Sequence, residues 1–457
     1  MQNLPGPIQS APAEKNSLYF VHCIRDTTIR ILFVSEKETK TVKTMSQKLN
    51  RELNNIAEPY VKLVLAVGQH DADYVDAYYG PAEWQAEAKA EKQSLNSILQ
   101  TALPLKSKLD KLHSKRHEDI LQLRHHYLQK QISSLIARVE VLGGKKFSFD
   151  EEAKAYYDVE PPVFTEEHFK KLVSELESIV PGKGPVPERV EHYRRQFTLT
   201  PDTLDKVFQA AIFECRLRTK KYIILPENET FRLEYVHNKA WSGYNWYKGN
   251  NESLIQINTD LPIFMERAID LAAHEGYPGH HVYNCLLESA FARKFGWIEF
   301  TVYPLFSSQS LIAEGTANFG IEVAFPGIER MEFERDTLFP LAGLDKSQAE
   351  QYSRVQELTA KLSYAGNEAA RRYLNGEISR DDAAQWLVQY ALMSPERAQQ
   401  RTRFFDQYRS YVINYNLGLD LVRHYIEKRG GTLKKPAKRW EEFTKLLSSP
   451  RLPSGLL

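Results

Sequence analysis

Apolar residues recur at helical spacing from Ser46 to His70, at Leu49, Leu53, Ile56, Tyr60, Leu63, Val64 and Val67. That spacing gathers them on one face of a long helix. The same period runs through residues 86–142, which read as two or three helices broken near Pro104, with a stop at Gly143-Gly144. Proline clusters at Pro161-Pro162 and Pro181–Pro185 bracket another helix from about Thr165 to Ile179, and helical pattern resumes from Pro201 to about Tyr222. The period then changes. Phe231, Leu233 and Tyr235 alternate, and Tyr244-Asn245-Trp246-Tyr247 leads through Lys248-Gly249-Asn250-Asn251 to Leu254-Ile255-Gln256-Ile257. Aromatic and β-branched residues around a Gly-Asn turn predict a small β-hairpin. Asn258-Thr259-Asp260 with Pro262 behind it predicts a helix start, cap then early proline, and the rest of the chain reads as helix. The expected fold is mainly α: one mostly helical unit over residues 45–457 carrying a hairpin, after a poorly ordered leader over 1–44 where pattern is weak.

Composition narrows the function classes. With 60 Lys and Arg against 59 Asp and Glu, no excess charge argues for nucleic acid or an anionic membrane. No stretch reaches the roughly 18 uninterrupted apolar residues of a membrane helix, and the Pro-, Gln- and Ser-rich start does not resemble a signal peptide. Cys23, Cys215 and Cys285 are too few and scattered for a disulfide framework, so a reducing, cytoplasmic setting is the expectation. Oligomeric state leaves no trace in the pattern.

Chemistry concentrates in Asp270-Leu-Ala-Ala-His-Glu-Gly-Tyr-Pro-Gly-His-His-Val-Tyr-Asn284. A zinc-hydrolase helix carries two histidines four apart, with a glutamate beside the first as general base. Here His274 and Glu275 are adjacent, but the next histidines, His280 and His281, come two or three residues late. Pro278 cannot donate a hydrogen bond to the His274 carbonyl, so the helix must bulge or break there. Two looped-out residues would bring His280 to the position four after His274; His281 is the alternative second ligand. In an unbroken helix His281 would stand roughly 10 Å beyond His274. Glu314, in Leu311-Ile-Ala-Glu-Gly-Thr-Ala-Asn318, is the candidate third ligand, since alanine and glycine around it permit a close helix approach. Asn318 or Glu322 could orient a ligand by a hydrogen bond. Glu275 would take a proton from water and pass it to the leaving group. His113, His117 and Glu118, with His125-His126 beyond, imitate such a cluster within a Lys- and Arg-rich run, and read as a solvated helix face.

His-Glu-x-x-Pro-Gly-His-His followed by a Glu-Gly segment resembles the signature of a bacterial domain-of-unknown-function family, number 885, whose fold is similar to that of the carboxypeptidase Taq-type metallopeptidases. Gly279-His280-His281-Val282-Tyr283 follows the order those peptidases show after their second histidine, which favours His280. The resemblance runs from about Tyr60 to Gly418 and takes in Tyr74–Pro81, the aromatic hairpin, Arg409-Ser410-Tyr411 and Tyr415–Gly418. It implies a long-helix, cleft-containing, zincin-like metallopeptidase with a bound Zn2+ and the hairpin edging the cleft. Trp241, Tyr244, Trp246 and Tyr247 would line that groove, and Tyr411 would also touch substrate. Among Arg401, Arg403 and Arg409, the resemblance favours Arg409 for a substrate carboxylate, and Tyr415 for the oxyanion. The expected activity is metal-dependent hydrolysis of an amide bond in a peptide. The rivals are a non-catalytic zinc or peptide-binding protein and a hydrolase of non-peptide amides.

Overall fold

The computed structural model describes residues 36–113, 119–239 and 241–457. The leader expected over 1–44 lies outside the described residues except for its last part, which already belongs to helix α1 (Glu36–Val67). All seven apolar positions of the expected face, Leu49 to Val67, are buried. Helix α2 (Asp119–Leu142) packs beside α1 and stops at Gly143-Gly144 as its sequence requires. Between them the helix Leu95–Asp110 runs straight through Pro104. The proline removes one backbone hydrogen bond, but burial of Ile98, Ala102 and Leu109 holds the helix together across the gap.

Buried on α2, Arg124 donates from Nε and a terminal nitrogen to Glu299 at 2.6 and 3.0 Å, and from its other terminal nitrogen to Asn50 of α1 at 2.7 Å. Both charged side chains are 0% exposed. Removing either partner would strand a buried charge, a loss of about 3–5 kcal/mol. This pair fastens α1 and α2 to the turn before β5 (Val302–Pro304), which pairs antiparallel with β1 (Val75–Tyr78). Periodicity did not reveal these two strands, because each has only three or four residues.

Helix α3 (Pro201–Lys220) precedes a second sheet. Strands β3 (Gly243–Gly249) and β4 (Glu252–Asn258) form the expected antiparallel hairpin, and β2 (Thr230–Val236) adds parallel to β4, giving the order β2-β4-β3. Strand β3 is thus an edge strand. The helix expected from Asp260 starts later, as α4 (Glu266–Leu271). The Asp260 carboxylate accepts the backbone N–H of Asn238 at 2.8 Å, which takes it away from capping, and a β-bridge between Thr198 and Phe264 keeps the chain extended until then.

Three later helices complete the frame: α6 (Ser308–Ala324), α7 (Pro395–Tyr408) and α8 (Ile413–Lys428), with α5 (His280–Leu287) following α4 across a break. Helices α6 and α8 cross at backbone contact. A Cβ on Gly315 would stand 2.5 Å from the Gly418 carbonyl carbon, and one on Gly418 would stand 2.8 Å from the Leu311 carbonyl oxygen. Buried apolar side chains from Leu49 to Leu456 form one contiguous cluster around this frame. Among the described residues no helix is long and apolar enough to cross a membrane.

The glycine crossing yields a stability prediction. Gly315→Ala should destabilise the protein by about 1–3 kcal/mol, measured as a fall in the urea midpoint with an unchanged slope. A change below about 0.5 kcal/mol would mean that the two helices part freely.

Candidate metal centre

Ala272–Gly276 continues α4 as a π-turn rather than an α-turn. Tyr277 N–H bonds back five residues to the Ala272 carbonyl at 3.0 Å, and Gly279 N–H bonds back six to Ala273 at 2.9 Å. Pro278, lacking an N–H, sits between them. The wider loops absorb the two extra residues before α5 resumes the helical path at His280. Position 279 must be glycine: a Cβ there would run into the carbonyl oxygens of His274 and Ala273.

This detour brings His274 and His280 face to edge. Their ring centroids are 4.6 Å apart at 89°, and their Nε2 atoms are 3.1 Å apart. From α6, Glu314 meets both, with Oε2 3.2 Å from His274 Nε2 and Oε1 3.6 Å from His280 Nε2. Donors about 2.0–2.1 Å from a tetrahedral zinc ion would themselves stand about 3.3–3.4 Å apart. The three separations bracket that value.

Hydrogen bonding explains which lone pairs converge. Asn318 Nδ2 donates to the Tyr415 backbone carbonyl at 2.8 Å, which leaves its Oδ1 to accept from His274 Nδ1 at 2.9 Å. The His274 proton is therefore on Nδ1, and Nε2 presents a lone pair to the centre. Glu314 Oε1 accepts from the Tyr411 hydroxyl at 2.7 Å, while Oε2 is buried without a hydrogen-bond donor. A buried carboxylate oxygen 3.2 Å from an imidazole nitrogen needs a proton or a cation between them. The donor set thus fits a divalent metal ion, held by two nitrogens and one carboxylate.

Glu275 adjoins this group, and its carboxylate is close enough to serve with His274 and His280 as a ligand. Its carboxylate lies within 4.8 Å of the ring nitrogens of His274 and His280 but forms no ion pair with either, and Asn245 of β3 anchors its backbone carbonyl at 2.7 Å. Asp76 of β1 adds a third carboxyl to the same cavity, accepting a very short hydrogen bond from Tyr244. The electrostatics register this crowding. Burial alone would lower the His280 pKa, but Glu314, then Glu275 and Asp76, raise it to about 9. Burial pushes Asp76 up to about 6, with Glu314 and Glu275 adding to the rise. Burial would also raise Glu314, yet the facing His280 and His274 hold it far below the usual carboxylate range.

The remaining expected site residues divide. His281 is turned away from the centre and fully buried, with Nδ1 2.8 Å from Ser253 and Nε2 3.2 Å from Glu229, so α5 directs the two consecutive histidines to opposite sides. Tyr415 lines the cavity, its ring 6.4 Å from that of His274, and its hydroxyl has no hydrogen bond among the described residues. Tyr411 and Tyr244 also line the cavity, but their hydroxyls are engaged by Glu314 and Asp76. Trp241 lines it too, whereas Trp246 does not: its indole donates to Gln256 at 3.0 Å. Tyr247 is buried and donates to Glu288 at 2.5 Å. Arg409 is outside the cavity, its Nε 2.6 Å from Glu152. Arg401, one of the three arginines considered, lines the cavity instead. Of the histidine decoy, His117 and Glu118 lie outside the described residues. His125 is buried against the Leu109 carbonyl at 2.8 Å, which corrects the solvated-face expectation for that residue.

Sequence reasoning missed Asp76 and Arg397 as cavity residues. Asp76 belongs to the Tyr74–Pro81 run that carried part of the resemblance, and its burial on a four-residue strand had no periodic signal.

No family profile and no curated protein matches this chain. Among solved structures, it is similar to a candidate lipoprotein of Colwellia psychrerythraea at TM-score 0.48 and 13% identity, over 81% of this chain and 70% of that one. A candidate lipoprotein of unknown function from Shewanella oneidensis gives TM-score 0.43 and 12% identity, over 82% and 74%. Metallocarboxypeptidase 1 of Trypanosoma cruzi gives TM-score 0.41 and 14% identity, over 89% and 91%. At these scores the chemistry must be argued from the site itself.

Metal analysis of the purified protein should find about one transition-metal ion per chain. Asn318→Ala, which frees the His274 ring, should weaken metal affinity by about 10–100-fold in a competitive chelator titration. An unchanged affinity would show that the Asn318 bond does not orient the ligand.

Proposed function

We propose that this protein is a zinc-dependent hydrolase of the peptidase type, carboxypeptidase-like in action. The observation that carries this is the convergence of His274, His280 and Glu314 at metal-ligand spacing, with the Glu275 carboxylate within 4.8 Å of both histidine nitrogens. The resemblance of the His-Glu-x-x-Pro-Gly-His-His segment to family 885 agrees with it. Zinc bound there would supply Lewis acidity to a substrate carbonyl and lower the pKa of a water molecule to near neutrality.

The chain's own residues would do the rest. Glu275, without an ion pair among the described residues, takes a proton from the attacking water and returns it to the leaving amine. Tyr415 points a hydroxyl without a competing acceptor toward the oxygen that gains charge. Asn318 keeps His274 in the tautomer that leaves Nε2 available. Edge strand β3 contributes Gly243, Tyr244 and Asn245 to the cavity wall, where an extended peptide could pair with it. Arg401 reaches the cavity with its guanidinium stacked 5.8 Å from the Tyr415 ring, so a terminal carboxylate would lie within a short distance of the scissile bond. The cavity, about 540 Å³, suits a short peptide segment rather than a folded chain.

Glu275→Gln should keep the metal and lose about 10²–10⁴-fold in kcat on a peptide library, read by mass spectrometry of products. Tyr415→Phe should lose about 10²–10³-fold in kcat with little change in KM. Wild-type protein that holds zinc yet cleaves no peptide would favour a metal- or peptide-binding role instead.

A further inference from the structure

The cavity has an electrically opposite end. Arg194, Arg267, Arg397 and Arg401 all line it. Two of these are matched: Arg194 pairs with Glu266 at 2.6 Å, and Arg267 meets Asp270 at 3.5 Å and Ser242 at 3.1 Å. The other two, both on α7, have no carboxylate partner among the described residues. Among the described residues Arg397 donates only to the Pro262 carbonyl, at 2.5 Å, and lies over the Phe264 ring at 5.1 Å. The carboxylates nearest to it are committed elsewhere, Glu266 to Arg194 and Tyr352, and Glu191 to Arg195. Arg401 makes no hydrogen bond among the described residues; its Nε is buried and unsatisfied, and its guanidinium rests on Phe404 at 4.5 Å.

Leaving two guanidinium groups unpaired in one cavity is costly. Burial, then the like charges of Arg194 and Arg267, lowers the Arg397 pKa to about 10, and burial lowers that of Arg401. Arg397 also occupies the first turn of α7, where the helix dipole opposes a cation. Four residues apart, the two arginines share one helix face, with Cβ atoms about 5–6 Å from each other. One carboxylate would answer one of them. Two are needed.

We propose that Arg401 and Arg397 form a dicarboxylate subsite that selects substrates ending in aspartate or glutamate. This rests on the peptidase reading for its chemistry. Arg401, stacked on Tyr415 beside the metal centre, takes the α-carboxylate of the terminal residue. Arg397, one turn further from the metal, takes its side-chain carboxylate. The released product is then a free acidic amino acid.

Two measurements test this separately from hydrolysis in general. In the first, N-acetylated peptides ending in Glu, Asp, Gln, Leu or Lys are compared by kcat/KM with zinc-loaded enzyme. Wild type should prefer Glu or Asp over Gln by about 10–100-fold. Arg397→Gln should erase that preference while changing the Gln and Leu peptides less than about threefold. In the second, glutarate and butyrate are titrated into the zinc-loaded protein by calorimetry. Glutarate should bind at least about tenfold tighter than butyrate, and Arg397→Gln should remove the difference. Equal cleavage of Leu and Glu peptides by wild type, or equal binding of the two acids, overturns the subsite. If no peptide is cleaved but glutarate is still preferred in an Arg397-dependent way, the peptidase reading fails and the dicarboxylate subsite stands.

Discussion

Everything at the metal centre depends on two glycines touching. Because Gly315 and Gly418 bring α6 and α8 to backbone contact, Glu314 and Asn318 on one helix stand beside Tyr411, just before the other, and Tyr415 at its start. Tyr411 then hydrogen-bonds Glu314, and the Tyr415 carbonyl holds Asn318. A side chain at either glycine would separate the helices, and both bonds would stretch together. Packed interiors accommodate such a change poorly. The crossing is therefore a structural fact with chemical reach.

Against this fixed pair, the histidine segment solves a different problem. A regular helix would hold its two histidines by residue count; here hydrogen bonds running back five and six residues do it, so two extra residues fit without displacing His280. Charge follows the same division of labour. Glu314, Glu275 and Asp76 make one end of the cavity cation-seeking, and unpaired arginines on α7 make the other anion-seeking. A ligand bearing a polarisable carbonyl and acidic groups matches that gradient.

How much of this was legible beforehand depended on period and on local chemistry. The seven apolar positions of α1 repeat over about five turns, a signal long enough to fix both the element and its buried face. The β3–β4 hairpin carried its own turn residues. Pro278 announced a helix break, and the size of the gap pointed to His280. Strands β1 and β5 were too short for any period, and Asp260 looked like a cap until the Asn238 amide claimed it. Trp246 and Arg409 looked functional by residue type, but a hydrogen bond to Gln256 and an ion pair with Glu152 respectively hold them outside the cavity. The resemblance favoured Arg409 over Arg401, but α7 ends at Tyr408, and it is Arg401, within the helix, that lines the cavity.

The bond from Asn318 to the Tyr415 carbonyl has a further meaning. Tyr415 faces the cavity with its ring, while its backbone steers the amide that steers the His274 imidazole. Occupancy of the cavity and occupancy of the metal centre are thus joined through one residue. By thermodynamic reciprocity, whatever a ligand gains from the ion, the ion gains from the ligand.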